Sequence, residues 1–191
     1  MILHVVRVIS RDRLKEIMHR LLLGSVIGGA ELERLADRFA DRLVLKNLRE
    51  GALDRIAADR ALGCRVVVAT AAHRFYAEPI ARRIGIDDVI ATECTFSPCG
   101  MVGWRLRGRN LYGPAKLAAV ESWLSDRKLA RDEVRLRFYS DHVSDAPCLA
   151  FADEPYAVHP EARLKLLAKR LNWPTLHWDC IGDVNICVRS S

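Results

Sequence analysis

The sequence predicts an α/β fold, a doubly wound parallel sheet preceded by a helical region, and three observations predict it. First, residues 65–92 spell out a βαβ unit: the apolar run Arg65-Val66-Val67-Val68-Ala69, a helix from Phe75 to Ile84 closed by Gly85, and a second run from Val89 to Thr92. Such a unit implies parallel strands joined by a right-handed crossover. Second, the alternation continues, with strands at Val134–Tyr139 and Tyr156–Val158, a helix at Ala162–Leu171 and a last strand at Thr175–Trp178. Third, residues 11–62 carry helical spacing throughout, an all-helical stretch ahead of the βαβ pattern.

The elements follow in order. Ser10 caps a helix through Arg13, Leu14, Ile17, Met18 and Leu21, and Gly24 stops it. A second helix runs from about Ala30 to Leu43, with Leu32, Leu35, Phe39 and Leu43 at helical spacing, and a third from Ala52 to Leu62 ends at Gly63. Leu14, Ile17, Leu21, Leu35 and Phe39 are expected to form the apolar seam of the cap. The β-branched run at Val66–Val68 suits a strand buried on both faces. Ser97-Pro98-Cys99-Gly100, between alternating segments from Glu93 to Arg107, reads as the turn of a β-hairpin flap. A helix at Ala115–Ser125 precedes the Val134–Tyr139 strand. The expected partition is 1–62 as helical cap region, 63–179 as α/β core and 180–191 as a C-terminal tail. In that tail Val184, Ile186 and Val188 alternate as a half-buried strand would.

Bulk properties narrow the function. A chain of 191 residues, half of it apolar, supports one domain with a sizeable core, or one domain with a small insert. No apolar run approaches bilayer length, and the start, Met1-Ile2-Leu3-His4-Val5-Val6-Arg7, is too short for a secretory signal. The expectation is a soluble, cytoplasmic protein with no membrane span; the oligomeric state is left open. The net charge of +6 comes from arginines scattered over helical segments, which read as solvated faces. Basic and aromatic residues do not interleave, so no nucleic-acid partner is expected. A basic field suits anionic substrates such as phosphate esters. Of the six cysteines none forms a Cys-x-x-Cys pair or zinc-finger spacing. Cys64 and Cys148 read as buried small hydrophobes.

Three sets of residues carry chemistry. Asp141 and Asp145 end the strand that finishes at Phe138-Tyr139-Ser140. Carboxylates beyond the carboxyl end of a strand suit Mg²⁺, which takes oxygen ligands from one or two carboxylates plus waters and phosphate. The same spacing also fits a helix N-cap followed by a first-turn charge. Thr70 follows the first strand of the βαβ unit. Its hydroxyl and the amides of Ala71 and Ala72, at an expected helix start, can bind phosphate oxygens; Thr70 as a plain N-cap is the alternative. Lys116 opens a helix after Tyr112-Gly113-Pro114 and can neutralise phosphate as a point charge, or stand solvated. In a doubly wound, Rossmann-like sheet all of these are expected to converge on one edge.

The stretches Val66–Tyr76, Pro79–Asp87, Asn110-Leu111-Tyr112-Gly113-Pro114-Ala115-Lys116 and Tyr139-Ser140-Asp141-His142-Val143-Ser144-Asp145 together resemble motifs II, III and IV of the haloacid dehalogenase (HAD) superfamily, in its phosphoserine-phosphatase-like subgroup, IB. The helical start from Arg11 resembles that subgroup's cap, and the resemblance spans about Arg11 to Asp179. It implies magnesium-dependent hydrolysis of a small phosphorylated substrate. In the family an aspartate attacks phosphorus in line, a second aspartate two residues later is the general acid, and water cleaves the aspartyl-phosphate. By resemblance Thr70 binds the transferring phosphoryl group, Lys116 orients the nucleophile and neutralises charge, Asp141 ligates Mg²⁺ and Asp145 supports that metal. Such catalysis is largely positioning and charge stabilisation.

The family's first motif, Asp-x-Asp-x-Thr at the end of a first strand, does not occur in the sequence. The expectation is therefore that the strand and nucleophile are missing from this chain, through truncation, a misplaced start codon or a degraded gene, and that it is inactive or impaired as given. Without that strand, the segments at Arg65–Ala69 and Val134–Tyr139 are expected to pair with each other or to recruit 183–188. A non-catalytic phosphometabolite- or phosphoprotein-binding module that uses Thr70 and Lys116 without turnover is the rival reading. His19, Arg20, Trp104 and Arg105 are the specificity candidates on cap and flap.

Overall fold

The computed structural model describes residues 9–178, and these form two compact units: residues 9–47 with 66–129, and 48–65 with 130–178. Helices and parallel strands alternate in both, so the protein is α/β.

In the first unit the order is α1 (Arg11–Leu23), β1 (Val26–Gly28), α2 (Gly29–Asn47), β2 (Val67–His73), α4 (Arg74–Arg83), β3 (Asp88–Thr92), β4 (Cys94–Phe96), β5 (Met101–Leu106) and α5 (Pro114–Asp126). Between them in the chain lies α3 (Glu50–Ala61), which belongs to the second unit. Strands β2 and β3 pair in parallel, as the βαβ reading requires, with a register irregularity between Ala69 and His73. The hairpin β4–β5 turns at Ser97–Gly100, and β1 adds antiparallel to β5, giving the order β1-β5-β4.

The start of α1 follows from its sequence: the Ser10 side chain accepts a hydrogen bond from the Arg13 amide at 3.1 Å, and Gly24, at φ 84°, closes the helix. The expected apolar seam is not found. Leu14, Leu21 and Phe39 are exposed; α1 buries His19, and α2 buries Leu32, Ala36 and Ala40. Helix α2 packs against α4, whose buried residues are Ala77, Pro79 and Ala81. Both helices thus bury small side chains at their contact, a close approach that leaves the larger neighbours outside. Leu32 lies with Cys94 and Val102 in the core of this unit, lined by Leu23, Ile27 and Phe75.

The second unit contains α3, a 3-10 turn at Arg131–Glu133, β6 (Arg137–Ser140), a 3-10 turn at Val143–Asp145, α6 (Ala146–Phe151), β7 (Glu154–Val158), α7 (Ala162–Leu171) and β8 (Thr175–Leu176). Its sheet is parallel in the order β6-β7-β8. Leu149, Ala157, Leu164 and Ala168 form the core, with Phe138, Val143 and Trp173 packed on it. At Gly51 of α3 a Cβ would run into the Trp178 carbonyl oxygen, so only glycine admits that approach. Among the described residues β2 is hydrogen-bonded to β3, and β6 to β7. The candidate replacement strand 183–188 lies outside the described residues. No helix among those described is long and apolar enough to cross a membrane.

Helix α3 is tied to the second sheet by charge. Arg137 of β6 donates to Asp59 at 2.8 Å and to Glu154 at 2.6 Å, and the Tyr139 hydroxyl donates to Asp59 at 2.8 Å. Arg55 reaches both Asp59 and Tyr139. Asp59 and Glu154 are buried. Burial alone would raise the Glu154 carboxyl, but hydrogen bonds from Arg137 and Arg135 hold it below its ordinary value. Its folded pKa is depressed, so this stabilisation is present above about pH 4.5 and is lost as pH falls through the folded value. In Glu154→Gln the half-buried Arg137 loses one of its two carboxylate partners, a cost of about 3 kcal/mol. Denaturant melts should show that loss at pH 7, and a smaller difference between variant and parent near pH 3.

Candidate functional site

The carboxyl end of β2 is built differently from the sequence expectation. The strand continues through Thr70, Ala71 and Ala72 to His73, and α4 begins only at Arg74. These three residues are therefore extended strand at an irregularity in the β2–β3 register, not the first turn of a helix. The Ala72 amide donates to its neighbour's hydroxyl, Thr70 Oγ1, at 3.0 Å, so Thr70 shapes its own loop and caps no helix.

What holds this loop is a buried polar knot. Thr92, at the end of β3 and 1% exposed, donates from Oγ1 to the Ala71 carbonyl at 2.9 Å and accepts from the Leu111 amide at 3.1 Å. The Lys15 ammonium, reaching in from α1, donates to the same Ala71 carbonyl and, at 3.2 Å, to Asn110 Oδ1. Burial lowers the Lys15 pKa, against the opposing pull of Cys94 and Asp12. Asn110 is itself buried. The segment that opens the Lys116 helix is thereby fastened to the Thr70 loop.

Gly113, at φ 62° and ψ −130°, precedes α5 in a backbone conformation that suits glycine alone, and Pro114 opens the helix. Lys116 sits in that first turn, 7% exposed. Lysine is rarely so buried without an oxygen partner. Its solvated alternative is therefore set aside.

In the second unit the Asp-x-x-x-Asp residues follow β6. Asp141 is exposed, and its carbonyl accepts from the Glu161 amide at 2.9 Å. Asp145 is buried at the end of the 3-10 turn, where its Oδ2 accepts from the Ser140 hydroxyl at 2.8 Å. Asp145 occupies the N-cap position of α6 but makes no capping hydrogen bond, so capping is not its task. His142 is engaged with Ser144, and Glu161 accepts from the Val143 amide, which fixes the loop. Thr70 and Lys116 thus belong to the first unit, and Asp141 and Asp145 to the second.

Sequence reasoning missed Lys15, Thr92 and the part played by Asn110. Lys15 lies in a charged helix with no motif around it. A threonine ending a strand and an asparagine opening a loop are signals only once the chain has brought them together. Of the specificity candidates, Arg20 and Arg105 both face the Trp104 ring, at 5.3 and 5.2 Å, with Arg13 at 5.3 Å. His19 points inward, against Cys94 and His73. Cys64 is exposed, contrary to expectation, and Cys148 is buried as expected.

The chain belongs to the haloacid dehalogenase-like hydrolases, whose family model matches residues 3–150. It is 31% identical to phosphoserine phosphatase SerB1 of Mycobacterium tuberculosis over 144 residues, 75% of this chain and 46% of that one. It is 28% identical to a histidinol-phosphatase of Neisseria meningitidis over 117 residues, 61% of this chain and 53% of that protein. The chain spans about half the length of these curated relatives. A Bordetella pertussis protein of unknown function has the same fold, with a TM-score of 0.82 and 26% identity over 92% of this chain and 78% of that one.

The knot makes a stability prediction. Thr92→Val removes the hydroxyl and leaves the part-buried Leu111 amide without its acceptor. This should cost about 1–3 kcal/mol in chemical denaturation, whereas Thr92→Ser, which keeps the hydroxyl, should cost less than half as much.

Proposed function

We propose that this chain carries the phosphate- and magnesium-binding parts of a phosphomonoester hydrolase acting on a small phosphorylated metabolite. The observation that supports the reading best is Lys116, a nearly buried lysine in the first turn of α5 on the family's third motif. Thr70 is the proposed hydroxyl donor to the transferring phosphoryl group, with Ala71 and Ala72 as backbone of the same loop. Because the Ala72 amide is taken by Thr70, the hydroxyl and the lysine carry the recognition. Lys116 neutralises charge that builds on the phosphoryl oxygens.

Asp141 and Asp145 are the proposed Mg²⁺ ligands. The donor set fits a hard cation, being carboxylate oxygens on a loop braced by Ser140 and Glu161. The ion would supply a positive charge that attracts and polarises phosphate oxygens. Relatives named for phosphoserine and histidinol phosphate support a small phosphorylated substrate. The partition into a cap region at 1–62, a core at 63–179 and a tail at 180–191 remains part of this proposal. Free thiols at the buried Cys94 and Cys148 suit a reducing compartment, and the cytoplasm is the proposed location.

The sequence contains no Asp-x-Asp-x-Thr, and this absence favours a second reading, a phosphometabolite binder without turnover. Phosphate release from an aryl phosphate with Mg²⁺ separates the two. The 191-residue chain should release phosphate at the background rate. Adding a family-like strand that ends in Asp-x-Asp-x-Thr ahead of α1 should create turnover, and Lys116→Met in that extended protein should lower it about a hundredfold or more. Turnover by the unextended chain would mean that a nucleophile lies within these residues. A folded extended protein that stays at background would favour the binder.

A further inference from the structure

We propose that His19, His73 and Cys94 form a binding site for a zinc-class divalent cation, separate from the carboxylates of the phosphatase motif. The three side chains come from α1, from the junction of β2 with α4, and from the first residue of β4. All are buried, at 4, 6 and 3% exposure. The Cys94 sulfur lies 3.1 Å from His73 Nδ1 and 3.6 Å from His19 Nδ1, and the three ligand atoms lie within 4.8 Å of one another. In a tetrahedral zinc site the Zn–S and Zn–N bonds place sulfur about 3.5 Å from each nitrogen. His19 is already at that separation, and His73 needs to open by about 0.4 Å.

The chemistry selects the ion. Two imidazoles and a thiolate suit zinc and exclude magnesium, which takes oxygen. Binding exchanges the thiol proton for the metal: the S–H bond breaks, a sulfur–metal bond forms, and one proton leaves to solvent. The resulting thiolate offsets one of the two metal charges. The Lys15 ammonium nearby is held by the Ala71 carbonyl and Asn110, and Glu93 beside Cys94 is paired with Arg74. Cys94, Arg74, Phe75 and Glu93 also line a cavity of about 450 Å³, which borders the cluster at the cysteine. A reactive-cysteine role fits poorly, since burial and Glu93 outweigh Lys15 and push the thiol up to about 11. The ligands stand 54 and 21 residues apart in sequence, so no spacing motif announces them. The metal would staple α1 to the end of β2, beside the Thr70 loop.

Cobalt(II) titration of the full, chelator-treated chain tests this. One equivalent should give a near-ultraviolet thiolate-to-cobalt band and intense visible bands of tetrahedral geometry, all displaced by zinc and untouched by magnesium. Cys94→Ser should abolish the thiolate band, and His73→Gln should weaken cobalt binding at least tenfold. A variant with Cys64, Cys99, Cys180 and Cys187 all changed to Ser should keep the full spectrum, and zinc should raise its melting temperature by several degrees. No thiolate band in the parent chain, a band that survives Cys94→Ser, or a band lost in the four-cysteine variant would overturn the site and leave the cluster as an internally hydrogen-bonded group.

Discussion

The first unit depends on one hydroxyl. Thr92 Oγ1 is buried and has a single proton, which it gives to the Ala71 carbonyl, while its lone pair takes the Leu111 amide. The Ala71 carbonyl receives Lys15 on its other side. Three segments distant in sequence meet at this point: the end of β2, the segment before α5, and α1. A buried amide or carbonyl left unmet costs more than a satisfied one contributes. The knot is therefore all or none, and both Thr70 and Lys116 stand one short segment away from it. An irregular strand end, where the ladder with β3 loses register, is otherwise the least constrained part of a sheet.

The second unit solves the same problem with charge. Arg137 is shared between Asp59 and Glu154, Tyr139 stacks on Tyr156, and Arg55 lies over both rings. Ion pairs of this kind add little net stability over an apolar core, but breaking one member is expensive. They dictate which face of α3 meets β6. The carboxyl end of β6 then carries an acidic loop in which the Ser140 hydroxyl holds the Asp145 carboxylate.

Much of this was legible in the sequence where local chemistry decides. Ser10 and Gly24 delimit α1, the βαβ run is parallel, α7 spans Ala162–Leu171 as its pattern reads, and the hairpin turns at Ser97–Gly100. Lys116 and the Asp-x-x-x-Asp pair also lie on the elements expected of them. What was not legible is set by partners. β1 is three residues among glycines and exists because β5 pairs with it. The strand ending at His73 rather than Ala69 is a matter of register with β3. Helical periodicity marked Leu35 and Phe39, but an alanine-lined contact with α4 buries Ala36 and Ala40 instead. Cys64 lies in an apolar stretch yet follows the end of α3 into solvent.

The central claim is that Thr70 and Lys116 make a phosphate site in the first unit. Calorimetric titration of the full chain with orthophosphate tests it most directly, because it needs no nucleophile. The account predicts saturable binding that weakens at least tenfold in Lys116→Met and also declines in Thr70→Val, with the folded state intact by circular dichroism. Absence of binding by the parent chain, or binding unchanged in Lys116→Met, would contradict it.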